Sequence, residues 1–383
     1  MNMTTRFALP FALLLVGACD PARNSPDAGP ASAAPAPDRL TKASQLYADA
    51  LDVITARYLF ATNDPERVTQ DALDAYLASH DAYSGHLTRD EYARYSDMNE
   101  SGFGGIGMGL ERLRDGDTIC YPTPRGPAER AGIRDGERLV SIDGARVRGK
   151  PLALVAALAT GREGTPVELV VSGTDGAQRQ VRVLRAHLDE PGVTEYDEGV
   201  LHVLKIPSFT GSTKSLVAAA LAGWDKDKDK DEDKPIVIDL RGCGGGSFFG
   251  ALDTAMLFLR QGAPIVTVTD RTGAHTYTST RLADFTPRPF FLWQDGHTAS
   301  AAEVLIGALV DNGLALSIGE PSAGKGTRQD VVELSDGSAL ILTTGYLRTP
   351  RGLAFDHRGL APMRALPPSS DTAAYARATL ASQ

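Results

Sequence analysis

Three cysteines among 383 residues, none of them in a Cys-x-x-Cys pair, supply neither a disulfide framework nor the paired ligands of a structural zinc site. An excess of positive charge is missing as well. The 39 Lys plus Arg stand against 48 Asp plus Glu, and a net charge of -9 leaves no basic face for neutralising nucleic-acid phosphates. The apolar run from Phe7 to Ala18, interrupted by Pro10, is too short to cross a bilayer as a helix. Glycine is abundant but follows no Gly-X-Y period, which excludes collagen. What remains, 42% hydrophobic and 23% charged, is the balance of a soluble globular chain, and the length suits two or three domains.

Arg6 followed by Phe7 to Ala18 has the form of an export signal over residues 1–18. The run closes Leu15-Val16-Gly17-Ala18-Cys19, small residues directly before a cysteine, as at a bacterial lipoprotein cleavage site. Cys19 is therefore the expected lipidated first residue of a mature chain tethered to a membrane on the periplasmic side of the cell envelope. An ordinary secretory signal cut near Ala18, with Cys19 incidental, is the other reading, and both imply export. Residues 19–43, dense in Pro, Ala, Ser and Asn, bury little and read as a flexible tether.

Residues 44–100 read as a helical segment. Leu46, Leu51, Ile54 and Tyr58 recur at helical spacing, and Leu73, Tyr76 and Leu77 resume it after Asp64-Pro65. A loop His80-Asp81-Ala82-Tyr83-Ser84 and a helix around Thr88 to Tyr95 follow, with no chemistry apparent in the segment itself. From residue 101 the texture changes to Gly102-Phe103-Gly104-Gly105-Ile106-Gly107-Met108, a glycine-rich turn whose amides suit a carboxylate. A short helix stopped by Gly132, the strand Leu139 to Ile142, a helix Pro151 to Ala159 and the strand Val167 to Val171 complete a unit ending near residue 186.

Beyond it, residues 187–367 alternate strand and helix. Val200 to Ile206 is a strand, Leu216 to Leu221 a helix, and the mixed charges between Trp224 and Pro235 a solvated stretch. Ile236 to Leu240 is apolar but for Asp239, as expected of a central parallel strand, and runs into Gly242 to Gly246 and a helix from Phe248. Phe290 to Trp293, the helix Ser300 to Val310 and the strand Leu314 to Ile318 repeat that order, which predicts crossover βαβ units. Val331 to Leu347 is β-rich, and residues 368–383 carry a closing helix.

Glycine loops before helices bind phosphate or stabilise an oxyanion, and Gly242 to Gly246 matches neither nucleotide fingerprint. Ser300 stands at the next strand-to-helix turn among small residues, where it is either a nucleophile or a helix cap. Lys325, flanked by Gly324 and Gly326, is either a loop lysine or a base whose amine burial keeps neutral, with Gln329 placed to orient it. His297, three residues before Ser300, is too near on the same turn to suggest a histidine-based triad.

Residues 101–186 resemble a PDZ domain, a fold that binds peptide termini beside a sheet edge. The series Leu240-Arg241-Gly242, Thr298-Ala299-Ser300-Ala301-Ala302-Glu303 and Gly324-Lys325-Gly326 through Gln329, with His80 to Ser84 and Tyr346 to Gly352, is similar over residues 45–365 to the carboxyl-terminal processing (tail-specific) proteases. The resemblance implies an α+β multidomain chain: helical segment, inserted PDZ domain and an α/β protease core of the ClpP/crotonase-like kind. It implies a serine endopeptidase acting on proteins or peptides selected by their C-terminal tails, without metal or cofactor. Ser300 maps onto the nucleophile, Lys325 onto the base and Gln329 onto the third member. The oxyanion donors map onto the N–H of Ala301 and of Gly245 or Gly244. Gly104, Gly105, Ile106, Gly107 and Met108 map onto the tail-binding groove, the glycines holding the carboxylate. Cys243 stands where the family commonly has Asn, and Ala302 where it has a small polar residue. Cys243 and Cys120 are expected as free thiols, being in different domains. A PDZ adaptor with a silent core, binding tails without cutting, is the competing reading.

Overall fold

The computed structural model describes residues 37–60, 64–97, 103–113, 115–123, 125–173, 175–188, 192–226, 234–281, 283–285 and 290–383. The export signal, Cys19 and the tether as far as residue 36 lie outside them. The C-terminal half is built on a six-stranded sheet in the order Thr194–Glu198, Leu201–Lys205, Ile236–Asp239, Phe290–Gln294, Ala315–Gly319 and Arg364–Ala365. Its first pair is antiparallel and all later pairs are parallel. The helices Thr213–Lys226, Phe248–Ala255 and Ala301–Asp311 cross between successive parallel strands. Val237, Ile238, Leu292 and Trp293 are fully buried, as strands covered on both faces must be. The crossover units predicted from the apolar strands are present.

A second, five-stranded sheet leans on this layer. The excursion between Phe248–Ala255 and Phe290–Gln294 forms the hairpin Pro264–Asp270 and Gly273–Thr278, which sequence reading had left unassigned. It continues into Ala339–Arg348, which also pairs with Thr327–Glu333 and with the short strand Gly85–Leu87. The helix Thr372–Leu380, capped by Asp371, packs beneath the main sheet: Tyr375 donates to the Gln294 carbonyl at 2.8 Å, and Trp293 Nε1 donates to Thr379 Oγ1 at 2.9 Å.

The unit expected from residue 101 is a sheet-and-helix body whose core, including Ile106, Leu139, Ile142, Leu154, Leu169 and Val183, runs on into Leu87, Tyr95, Ala339 and Ile341 of the neighbouring segments. Its sheet runs Met108–Arg112, Thr118–Pro122, Arg138–Ile142, Pro166–Ser172, Gln178–Leu184, with Met108–Arg112 at one edge beside the helix Leu152–Ala159. The N-terminal helices are Pro37–Arg57, Pro65–Ala78 and Arg89–Asp97. The first begins inside the stretch read as tether, because Pro37 suits a first helical turn, where a missing N–H costs no bond. Asp64 caps the second through Oδ1, which accepts from the N–H of Glu66 and Arg67.

Candidate active site

Two turns of the main sheet face each other at the carboxyl ends of its central strands. The strand Ile236–Asp239 ends in a buried ion pair: Arg241 donates to Asp239 through Nε at 2.9 Å and Nη2 at 2.7 Å. The guanidinium lies over the adjoining rings of Trp293 and Tyr375, 4.8 and 4.6 Å from their centroids. Lys205 Nζ adds a second cation 3.3 Å from Asp239. Burial works to raise the Asp239 carboxyl, but these cations outweigh it and hold the group below its ordinary value. The glycine turn thus leaves a rigid base.

Asp295 steers the turn towards the next strand end, both its oxygens accepting the Gly242 N–H at 3.0 Å. The Cys243 carbonyl accepts the Ala299 N–H at 2.9 Å. Gly245, at φ 111°, lies against Ser300 so closely that a Cβ on it would stand 2.8 Å from the serine Cβ and 3.2 Å from the Ala301 nitrogen. No protein group among the described residues accepts from the N–H of Gly244, Gly245 or Ala301. Two amides of a potential oxyanion hole, those of Gly245 and Ala301, therefore adjoin the serine.

Ser300 itself has φ 57° and ψ -117°, a left-handed conformation for a residue with a side chain. Such backbone costs on the order of 1–3 kcal/mol and persists only where its surroundings hold it. The holder is Glu303, fully buried on the first turn of Ala301–Asp311. Its Oε2 accepts the Ser300 N–H at 2.7 Å and the Lys325 N–H at 2.8 Å. Its Oε1 accepts Ser322 Oγ at 2.6 Å and the Gly324 N–H at 2.7 Å. One carboxylate oxygen thus binds the backbones of Ser300 and Lys325 together. Burial pushes the Glu303 carboxyl up to about 7 against the pull of those four donors. The sequence places Glu303 within the motif Thr298 to Glu303 without assigning it a role. The signal that could have found it is the Ser-x-x-Glu spacing of a capping box.

Lys325 is only 7% exposed, and its amine is pushed down to about 7 by burial, the nearby Glu303 acting in the opposite sense. Both neighbouring glycines are required by close approach. A Cβ on Gly324, at φ 82°, would lie 2.5 Å from the Gly359 nitrogen, and one on Gly326 2.6 Å from the Asp356 nitrogen. Gln329 stands one turn of strand away, its Nε2 donating to Thr327 Oγ1 at 2.9 Å and Thr343 Oγ1 at 3.3 Å. Thr343 Oγ1 donates in turn to Asp81. The helical segment, read as chemically silent, therefore reaches the site, and its Tyr83 ring centroid lies 5.3 Å from Lys325 Nζ.

Three sequence expectations are corrected. Gly105 does not present a free amide to a tail carboxylate, since it exchanges hydrogen bonds of 2.9 and 3.0 Å with Ala186. Gly104 is likewise committed, pairing with Gly161, because these glycines close the body against its exit strand. Ile106 is 3% exposed within the domain core and so does not wall a groove with its side chain. The N–H groups of Ile106 and Gly107 donate to no protein group among the described residues, and Met108 begins the edge strand. Cys243 is fully buried, with its thiol pushed up to about 12 by burial. It and Cys120 are free thiols in separate cores, as expected.

Residues 201–364 match the model of peptidase family S41, and residues 118–172 match a PDZ domain. The chain is 27% identical over 319 residues to a carboxy-terminal-processing protease of Bartonella bacilliformis, covering 82% of this chain and 73% of that protein. It is 29% identical over 333 residues to the carboxy-terminal processing protease CtpB of Bacillus subtilis, covering 83% and 68%. The solved photosystem II D1 C-terminal processing protease superposes with a TM-score of 0.66 at 26% identity, covering 85% of this chain and 93% of that one. The fold, the two domain matches and these relatives agree: the chain carries a peptidase family S41 domain with a PDZ domain ahead of it, and it is similar throughout that span to carboxy-terminal processing serine proteases.

Proposed function

We propose that the chain is an exported endopeptidase, tethered through a lipidated Cys19 on the periplasmic side, that cuts proteins or peptides selected by their C-terminal tails with a Ser300–Lys325 dyad. The observation that carries the dyad is Glu303 Oε2, which gathers the N–H of Ser300 and of Lys325 onto one buried atom while the lysine amine is desolvated. A neutral amine accepts the Ser300 Oγ proton as that oxygen attacks the scissile carbonyl. The oxyanion sits against the N–H of Ala301 and Gly245, with Gly244 on the same loop as the other candidate. As the C–N bond breaks, the Lys325 ammonium returns its proton to the leaving amine, and water later releases the acyl group by the same relay. Gln329, whose amide nitrogen is engaged by Thr327 and Thr343, has its carbonyl oxygen available to orient the lysine. Tails add beside the edge strand Met108–Arg112, with the amides of Ile106 and Gly107 for the terminal carboxylate.

The test incubates an unfolded, tail-bearing substrate with the protein and with Ser300→Ala and Lys325→Ala. Fragments in the first alone are expected. Equal fragment patterns in all three would defeat the dyad, and no cleavage by any would favour the silent tail-binding adaptor.

A further inference from the structure

The Lys325 amine faces a residue that lies over two hundred positions earlier in the chain, ahead of the PDZ domain. The loop between the helix Pro65–Ala78 and the strand Gly85–Leu87 is folded around Asp81. Asp81 Oδ1 accepts the N–H of Tyr83 and of Ser84, each at 2.7 Å, and Oδ2 accepts Ser84 Oγ at 2.7 Å. The loop is then fastened to the protease core at one residue: Thr343 donates its N–H to Ser84 Oγ at 2.9 Å and its Oγ1 to Asp81 Oδ1 at 3.2 Å. Thr343 belongs to the strand Ala339–Arg348, which pairs with the strand carrying Gln329, and it also receives the Gln329 amide. Just beyond, Gly85, His86 and Leu87 pair with Ile341, Leu340 and Ala339, and a Cβ on Gly85 would collide with Pro151 of the PDZ domain. This clamped loop lays the Tyr83 ring against the Lys325 amine.

We propose that Tyr83 is the positioning residue for Lys325: its ring forms the wall that keeps water from the amine, so the helical segment completes the catalytic centre. The proposal rests on Lys325 being the base. A ring face attracts an ammonium, which works to keep the lysine charged. Water hydrates an ammonium far more strongly, so replacing water by a ring favours the neutral amine on balance. The charged and titratable groups facing this pocket are Glu303 from the helix Ala301–Asp311, Asp356 from the loop behind Gly326, and Asp81 beside Tyr83. The phenol, pushed up to about 12 mainly by burial and then by Asp356, Glu303 and Asp81, stays protonated throughout the working range and does not compete for the serine proton.

The experiment measures kcat/KM for a tail-bearing peptide against pH with the full chain and with Tyr83→Phe, Tyr83→Leu, Tyr83→Ala and Lys325→Ala. Opening the wall in Tyr83→Ala should move the midpoint of the acid limb up by about one unit or more, as a lysine regaining water requires. At pH 7 this is a loss of about fivefold to tenfold that is recovered above pH 9. Tyr83→Phe should keep the midpoint, and Tyr83→Leu, which keeps bulk should the alanine variant not fold, should move it in the same direction by less. An inactive Lys325→Ala beside Tyr83 variants with unmoved midpoints overturns the role of Tyr83 alone. An active Lys325→Ala overturns the dyad, and with it any base for Tyr83 to position.

Discussion

Gly245 and Ser300 face each other across the cleft at a separation that admits no side chain on the glycine: a Cβ there would sit 2.8 Å from the serine Cβ and 3.0 Å from the Ala299 carbonyl. Gly245→Ala is therefore expected to push the oxyanion loop off the serine. Loss of one oxyanion donor typically costs about 10²–10³ in kcat, and that range is expected here. A kcat within threefold of the parent would show that the loop contributes no donor at this position.

The pH dependence has a definite sign. Lys325, pushed down to about 7, must shed its proton to act, so kcat/KM should rise as pH increases through about 7 and level off above it. Glu303, pushed up to about 7, titrates in the same window. Lys325→Arg should be inactive at every pH, by about 10³-fold or more, because a guanidinium does not deprotonate. A Lys325→Arg enzyme active at high pH would remove the requirement for a neutral amine.

The two apolar residues of the PDZ loop should separate by readout. Ile106 lies in the domain core, so Ile106→Ala is expected to cost about 2–5 kcal/mol of stability, read by thermal or denaturant unfolding. Met108, half-buried on the edge strand and packed against that core, should lose about 0.5–3 kcal/mol of stability as Met108→Asp, the usual range for a single substitution. It should lower kcat/KM for apolar-tailed substrates roughly tenfold, about 1.4 kcal/mol, with tail-less substrates unaffected. Equal losses on both substrate types would put the tail groove elsewhere.

Arg241 is held by Asp239 and by two rings, and Asp239 is buried. Arg241→Ala leaves that carboxylate with Lys205 as its remaining close cation and should destabilise the core by about 3 kcal/mol, the lower end for breaking a buried pair. Urea unfolding with an unchanged midpoint would contradict this.

The central strands were legible because a strand buried on both faces must be apolar along its length, and Ile236 to Ile238 and Phe290 to Trp293 are. Ser300 and Lys325 were legible as candidates because small residues and glycines surround them. The hairpin Pro264–Asp270 to Gly273–Thr278 was not assigned: its inward and outward faces alternate only weakly, with Ile265 and Val266 buried in succession and Val268 buried between half-buried threonines. Nor did the sequence indicate that Gly104 and Gly105 would be spent on closing the PDZ body, since their partners, Gly161 and Ala186, lie more than fifty residues on.

By itself the sequence determined the order of elements, the places where the backbone must turn without a side chain, and the residues able to act as nucleophile and base, since propensity and periodicity are local properties. Only the tertiary structure decided what surrounds them. That Glu303 holds the Ser300 and Lys325 backbones on one oxygen, that Thr343 hangs the Asp81 loop beside Gln329, and that Tyr83 comes to rest on the lysine are all contacts between distant segments. The reactivity of an amine depends on the water around it, and that water is removed by packing, which no local pattern specifies.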